Sequence, residues 1–566
     1  MRVGLWAMVL TFLALGPAAA EVHTLAGMVE IPMSGRLLVW NASHVYQVES
    51  LVPVVVTELV DPGGGAITGT RGIAIVGIYP VIWTDSKVLL VSTLSPCCTV
   101  AELPKPGGGS IAAARGVIDV AGRALVWTPG NAYLGTTLSP CCTVSELTPP
   151  GGGPMSQVVG AIPYDALGRP LLWTPFKVFL LSTFSPCCTV DEVLAGGGSI
   201  AKTRGISVVG GLAHIYNPDH AYLLESASPC CTVAEIPKPG GGAIVDTRGI
   251  VDAAGVPVLW TPNQVLTVVA ASPCCTVSEV PDPGGGPMTG VRGAVELGGA
   301  LALWTDTKVS AVTILAPCCT VVEVPQQAGG SIVGARGVLS TAGFMLAWTS
   351  TEVHVIDTLA PCCGVTDVPL AGIRGAVLLA GRPTLWTATG THVIETLSPC
   401  CTVTEVMKPG GGSIGETRGI IEVFAGGPIL TPSNLYGIVG ISPCCPTVEV
   451  QPGGLPLMSY DPTVQGSELA GVSVAHTMAA SRTGSGGPPL AVTSGDALPA
   501  ANGCLSRSGA PSGVHTVVSP AFMVLGPQPV GTIFGRSSAL GPYREVGVFG
   551  TPGDQIFADG FESSCP

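Results

Sequence analysis

A vicinal cysteine pair recurs nine times, at Cys97-Cys98, Cys141-Cys142, Cys187-Cys188, Cys230-Cys231, Cys274-Cys275, Cys318-Cys319, Cys362-Cys363, Cys400-Cys401 and Cys444-Cys445. Seven of the eight intervals are 43, 44 or 46 residues. A chain with this period is one supersecondary unit copied about ten times, each copy too small to bury an apolar face without its neighbours.

One copy, from Ala114 to Gly153, reads ARGVIDVAGRALVWTPGNAYLGTTLSPCCTVSELTPPGGG. It divides into four expected strands, Gly116 to Val120, Ala124 to Trp127, Ala132 to Thr137 and Thr143 to Leu147, each rich in Val, Ile, Leu or Thr and bounded by turn residues. Ala121-Gly122 and Pro129-Gly130 leave room only for hairpin reversals, so the first three strands are expected to be antiparallel neighbours. A Ser-Pro turn reverses the chain before the fourth, which runs into a Pro-Gly-Gly-Gly loop in most copies. The copy after Cys362 lacks that loop yet keeps its strands, and no Lys-Ser or Lys-Thr follows the glycines, so the loop reads as a connector, not a phosphate cradle.

Four antiparallel strands per roughly 44 residues is the metric of a β-propeller blade. The chain is therefore expected to be all-β, with blades beginning near Leu25, Arg71, Arg115, Val159, Arg204, Arg248, Arg292, Arg336, Arg374 and Arg418. Two five-bladed propellers fit the same count. A β-solenoid is the remaining alternative, although stacked coils usually lack the tight reversals. The phrase TRGIVDAAGVPVLWTPNQVLTVV, Thr247 to Val269, resembles the blade rhythm of NHL-type and similar extracellular propellers, and its LWTP step resembles the HAF family of extracellular repeats. The resemblance covers residues 22 to about 450 and implies a fold, with no active site carried over.

Residues 1–20 combine Arg2, an apolar run from Leu5 to Leu15 and a small-residue cleavage site, which reads as a signal peptide. Export to an oxidising compartment agrees with the twenty cysteines. A net charge of -13 argues against nucleic acid as a partner, and no later apolar run is long enough for a transmembrane span. Residues 21–452 hold the repeats. Residues 453–553 are rich in Gly, Ser, Pro and Ala, and the final segment, 554–566, contains DQIFADGFESS, which resembles a short tail carried by many secreted bacterial proteins.

Adjacent cysteines sit awkwardly for a disulfide, since neighbouring Cα atoms lie about 3.8 Å apart and a usual bridge wants about 4.4 to 6.8 Å. The first module nevertheless lacks both cysteines, having Pro53-Val54 in their place, which favours bonding inside each pair and leaves Cys504 and Cys565 to bridge each other. Bridges between modules and thiolate capture of a soft metal are the alternatives. The eight histidines do not keep step with the repeat, so no further ligands are supplied. No cofactor is expected.

Two charged ladders accompany the repeat. An acid follows each first cysteine by five residues, at Glu102, Glu146, Glu192, Glu235, Glu279, Glu323, Asp367, Glu405 and Glu449, with Glu58 in the first module. Arginine opens the next module at Arg71, Arg115, Arg204, Arg248, Arg292, Arg336, Arg374 and Arg418, with Val159 as the exception. The two ladders are expected to pair with each other. Alternatively the arginines ring the channel mouth, where guanidinium groups recognise an acidic polysaccharide. Trp40, Trp83, Trp127, Trp173, Trp260, Trp304, Trp348 and Trp386 recur once per module, with Tyr216 and Leu430 as substitutes, and read as packing between blades.

These features favour a secreted or cell-surface scaffold that binds an extracellular glycan or a protein. There is no GxSxG step, HExxH or matched Ser, His and Asp set. A lyase or lactonase built on His214, Asp219 and His220 is the enzyme alternative, and metal capture by the cysteine pairs is the third.

Overall fold

The computed structural model describes residues 25–450 apart from short turn segments, most of them at the tips that carry the first cysteine of each pair, together with residues 491–494, 515–518 and 547–548. The leader, Cys504, Cys565 and the DQIFADGFESS segment lie outside the described residues. No described helix is long and apolar enough to cross a membrane.

Residues 25–450 form ten antiparallel sheets, one per repeat, with the strands of each sheet hydrogen-bonded in chain order. In blade 3 the strands are Gly116–Val120, Arg123–Trp127, Ala132–Thr137 and Thr143–Glu146, within a residue of the boundaries read from the sequence. The first three strands are buried on both sides. The fourth, with the pattern Thr-Val-Ser-Glu, is half exposed and forms the outer edge.

First strands touch between blades 1 and 2, 2 and 3, 3 and 4, 5 and 6, 6 and 7, 7 and 8, and 8 and 9, so they line a common centre. Blade 1 packs against blade 10: Leu25–Ile31 meets the second strand of blade 10, Gly427–Leu430, and Val54–Glu58 meets Thr447–Val450. One apolar cluster joins Met28, Leu37, Val39 and Leu51 of blade 1 to Ile429, Leu430, Tyr436 and Ile438 of blade 10. The molecule is a single ring of ten blades. Two five-bladed rings would have joined blade 5 to blade 1, and a solenoid would have left blades 1 and 10 apart.

The Arg-Gly and LWTP signatures are two halves of one contact. Each glycine of the Arg-Gly step pairs across the first two strands with the tryptophan, as in Gly72↔Trp83, Gly116↔Trp127 and Gly249↔Trp260. The indole lies flat over the glycine, and a methyl group added at Gly249 would overlap the Trp260 ring. Only glycine lets the ring sit there. Each indole then faces the following blade: Trp260 packs with Val291, Ala294 and Leu303 of blade 7, and Trp304 with Val338 and Ala347 of blade 8. Burying one such ring removes about 150–250 Å² from water, roughly 4–6 kcal/mol of transfer free energy. The threonine of LWTP stays in the turn. Thr128 Oγ1 accepts the backbone N–H of Asn131 at 3.0 Å and donates to the Asn131 carbonyl at 3.1 Å, closing the reversal between strands two and three.

The connectors are ordered hairpins. Lys105 N–H donates to the Gly109 carbonyl at 2.9 Å and Gly108 N–H to the Lys105 carbonyl at 3.0 Å. Gly107, Gly108 and Gly109 hold φ of 83°, 95° and 83°, a run no other residue type adopts without strain. Each connector then clasps the blade it has just left. Ala113 N–H donates to the Asp85 carbonyl, Lys202 to Pro175 and Asp246 to Pro218, at 2.9, 2.7 and 2.7 Å. The same bond recurs from Gly69, Gln157, Gly290, Gly334, Gly372 and Glu416 to the preceding blade.

Candidate functional site

Strand direction sorts the ring into two ends. First strands start, and second strands finish, at the end that carries the arginines, the threonine turns and the connectors. First strands finish, and fourth strands start, at the opposite end, which carries the Ser-Pro-Cys-Cys turns. All eight arginines of the ladder therefore stand at one mouth, on or just before the innermost strands, and Arg115, Arg248, Arg336 and Arg374 each donate a backbone N–H to the carbonyl of their blade's tryptophan.

The two charged ladders do not meet. The acids lie on the outermost strands, and five of them bond to the residue that ends the turn between strands two and three, or to a neighbour of it. Lys177 pairs with Glu192 at 2.7 Å, His220 with Glu235 at 2.9 Å, and Asn131 and Asn434 donate to Glu146 and Glu449 at 2.6 and 2.8 Å. Buried His354 bonds Asp367 at 2.7 Å. The expected Glu–Arg pair is thus corrected: a sheet four strands wide separates the outermost carboxylate from the innermost guanidinium. Burial alone would raise the Glu192 carboxyl, but hydrogen bonds from Lys177 and Ser199 and the Lys177 charge hold it below its ordinary value.

The arginines find other partners. Arg71 bonds Asp85 and Arg292 bonds Asp306, each an aspartate two residues after the tryptophan of the same blade. Arg204 reaches Asp246 of the next connector at 3.4 Å. Arg418 is buried, and desolvation brings its guanidinium down to about 10, still protonated at neutral pH. In blades 6, 8 and 9 the position two after the tryptophan holds Pro262, Ser350 and Ala388. There Arg248 is exposed and Arg336 and Arg374 are half-buried, and none of the three is ion-paired among the described residues. Two blades lack a ladder arginine, blade 4 with Val159 in its place and blade 1, which opens at Leu25-Ala26-Gly27. The aspartates were not singled out from the sequence, although a Trp-Thr-Asp step marks the blades of Arg71 and Arg292 and is absent from those of Arg248, Arg336 and Arg374.

The second cysteine of each pair is described, and it faces the preceding blade. Cys363 of blade 8 packs on the cluster shared with blade 7, Cys401 of blade 9 on the cluster shared with blade 8, and Cys98 lies 3.5 Å from Gln47 Oε1 of blade 1. The first cysteines, and with them the bonding of the pairs, lie outside the described residues. Among the described residues no three His, Cys, Asp or Glu side chains gather in a metal-holding group.

The enzyme candidates do not assemble. His214 is fully buried in strand two of blade 5, where desolvation pushes its imidazole down to about 4. His220 sits in the turn beyond, bonded to Glu235 near the outer edge, and the Tyr216 hydroxyl is buried and pushed up to about 12. The tryptophans are likewise enclosed: Trp173, Trp260 and Trp386 expose no surface, so they pack blades and offer no stacking platform.

A ten-bladed all-β propeller with an arginine-bearing mouth is the class these observations define. No family model matches the chain, and no curated protein matches it in sequence. Among solved structures it is similar to the extracellular domain of BT4673 from B. thetaiotaomicron, with 8% identity, 77% of this chain and 72% of that chain covered and a TM-score of 0.24. Citrobacter koseri AztD shares 11% identity over 62% of this chain and 95% of that one, with a TM-score of 0.32. PorZ, a surface component of the type-IX secretion system of Porphyromonas gingivalis, shares 12% over 75% and 74%, with a TM-score of 0.25. Likenesses of this strength carry neither a site nor an activity to the present chain.

Proposed function

We propose that the protein is a secreted or cell-surface scaffold that binds an acidic polysaccharide at the arginine-bearing mouth of its channel. The observation that carries this reading is the set of unpaired guanidinium groups at Arg248, Arg336 and Arg374, held on rigid innermost strands in a chain whose net charge is -13. A net charge of that sign disfavours a polyanion in general, so binding would rest on local groups such as these arginines. Guanidinium forks take carboxylates and sulfates bidentately. A scaffold is favoured over an enzyme because the titratable side chains repeat around the ring and, among the described residues, no unlike set converges on one opening.

The test is binding of alginate and heparin by calorimetry at two salt concentrations, with the triple variant Arg248→Gln, Arg336→Gln, Arg374→Gln. If each exposed contact is worth about 1 kcal/mol, the variant binds about 100-fold more weakly. The wild-type affinity also falls as salt rises. Binding that survives the triple substitution sinks the reading.

A further inference from the structure

The ten innermost strands each have one edge bonded to their own blade and one edge turned to the channel. Two of those channel edges are occupied, and the occupants come from the far C-terminal part of the chain. Ala491–Ser494 runs antiparallel to the first strand of blade 8, in the register Gly337↔Ser494, Val338↔Thr493 and Leu339↔Val492. His515–Val518 pairs antiparallel with Ala491–Ser494, and the two strands also touch the innermost strands of blades 6 and 7. Gly547–Val548 adds to the innermost strand of blade 4, Gly160↔Val548 and Ala161↔Gly547, beside that of blade 3. The sheets of blades 4 and 8 alone are widened on that side among the described strands.

We propose that the channel of this propeller is a strand-addition site and that its resident partners are the chain's own strands Ala491–Ser494, His515–Val518 and Gly547–Val548. The physical reason is the unpaired row of N–H and C=O groups that an innermost strand presents. Such an edge is a template for any extended peptide, and proteins cover it. Propellers with few blades bring these edges close together. Ten blades move them apart and leave room for added strands. The C-terminal part of the chain supplies two short β-prone pieces, Ala491-Val492-Thr493-Ser494 and His515-Thr516-Val517-Val518, of the length such an edge accepts. This inference is independent of the polysaccharide reading and stands whether or not an anion binds at the mouth.

Hydrogen exchange on the full-length protein tests it. Leu378 pairs with Pro383, which has no N–H, so alternation bonds Gly375 and Val377 of blade 9 to their own blade and turns the amides of Ala376 and Leu378 to the channel. Pro163↔Pro170 fixes blade 4 in the same way, with Ala161 turned to the channel, and the equivalent amide of blade 8 is Val338. The blade 9 edge has no added strand among the described strands. Protection at Val338 and Ala161 is expected to exceed that at Ala376 and Leu378 by about tenfold or more, the value of one hydrogen bond. A protease site introduced after Val450 and cut in the folded protein should leave the C-terminal fragment co-eluting with the ring on gel filtration. In the uncut chain, Thr493→Pro should abolish the extra protection at Val338 and leave Ala161 unchanged. Equal exchange at all four amides, or a fragment that separates from the ring on cutting, overturns the proposal.

Discussion

Nine interfaces in this ring lie between blades joined by the chain, and one, between blades 10 and 1, closes it. The nine share three devices: a tryptophan or, in blade 5, Tyr216 laid over glycine and facing the next blade, a backbone clasp from the connector, and a second cysteine facing back. The closing seam has none of them. Leu430 stands where the tryptophan would be, no connector crosses, and blade 1 carries Pro53-Val54 in place of a cysteine pair. Leu51 fills the space instead, close enough that a methyl group on Gly437 would collide with it. No strand is exchanged across the seam either, since blades 1 and 10 each contribute all four of their own strands. Among the described residues the ring is closed by apolar packing, and the seam is expected to open first.

The largest effect is expected inside the ring. Trp260→Ala removes the whole filling of the interface between blades 6 and 7, and a urea titration should show a loss of about 3–5 kcal/mol. If that loss is no larger than Leu430→Ala at the seam, the two kinds of interface are equivalent and the comparison fails. Next comes pH. His214 lies at the interface between blades 5 and 6, where Tyr216 replaces tryptophan, and its imidazole titrates near 4 in the folded chain against 6.5 unfolded. The unfolded state takes up the proton first, so the contribution of neutral His214 is intact above 6.5, declines as pH falls, and is fully lost below about 4. The size is about 3 kcal/mol. His214→Leu should erase that part of the acid sensitivity, seen as a smaller drop in urea midpoint between pH 7 and pH 4.

Third, the seam itself should be visible without mutation. It lacks a clasp of about 1 kcal/mol and exchanges tryptophan for the smaller leucine, together about 3 kcal/mol. Amides of Leu37–Val39 and of Ile429 and Leu430 should then exchange about 100-fold faster than those of Val258–Trp260.

Much of this was open to sequence reading because the repeat states each rule ten times. Strand boundaries in blade 3 followed from periodicity and turn residues, and the innermost position of the Arg-Gly strand followed from strand order. The partner of each charge did not follow. Glu192 and Arg204 are twelve residues apart in the chain, yet a sheet's width separates a fourth strand from the next first strand, and spacing along the sequence does not report that. The glycine of Arg-Gly was read as the start of the first strand, with no reason given for its being glycine. Its reason here is the indole across the sheet, a contact between strands that no local rule contains. The seam was legible only as an absence, in Pro53-Val54 and Leu430.

The smallest expected effect concerns the clasps. The donor of each clasp takes a left-handed backbone conformation, which glycine supplies at Gly69, Gly290, Gly334 and Gly372, whereas Ala113, Gln157, Lys202, Asp246 and Glu416 adopt it at φ of 53° to 58°. A side chain there costs about 1 kcal/mol, partly offset by the greater freedom glycine has when unfolded. Ala113→Gly and Lys202→Gly should each therefore raise stability by about 0.5 kcal/mol, read as a rise in urea midpoint at unchanged slope. If the clasp is what separates the nine interfaces from the seam, relieving its strain strengthens interfaces that are already the stronger kind. Exchange at Leu37–Val39 should then stay as it was, because the seam opens without disturbing a clasp. Faster closing at the seam in Lys202→Gly would mean instead that strain is shared around the ring, and that the ten interfaces yield together.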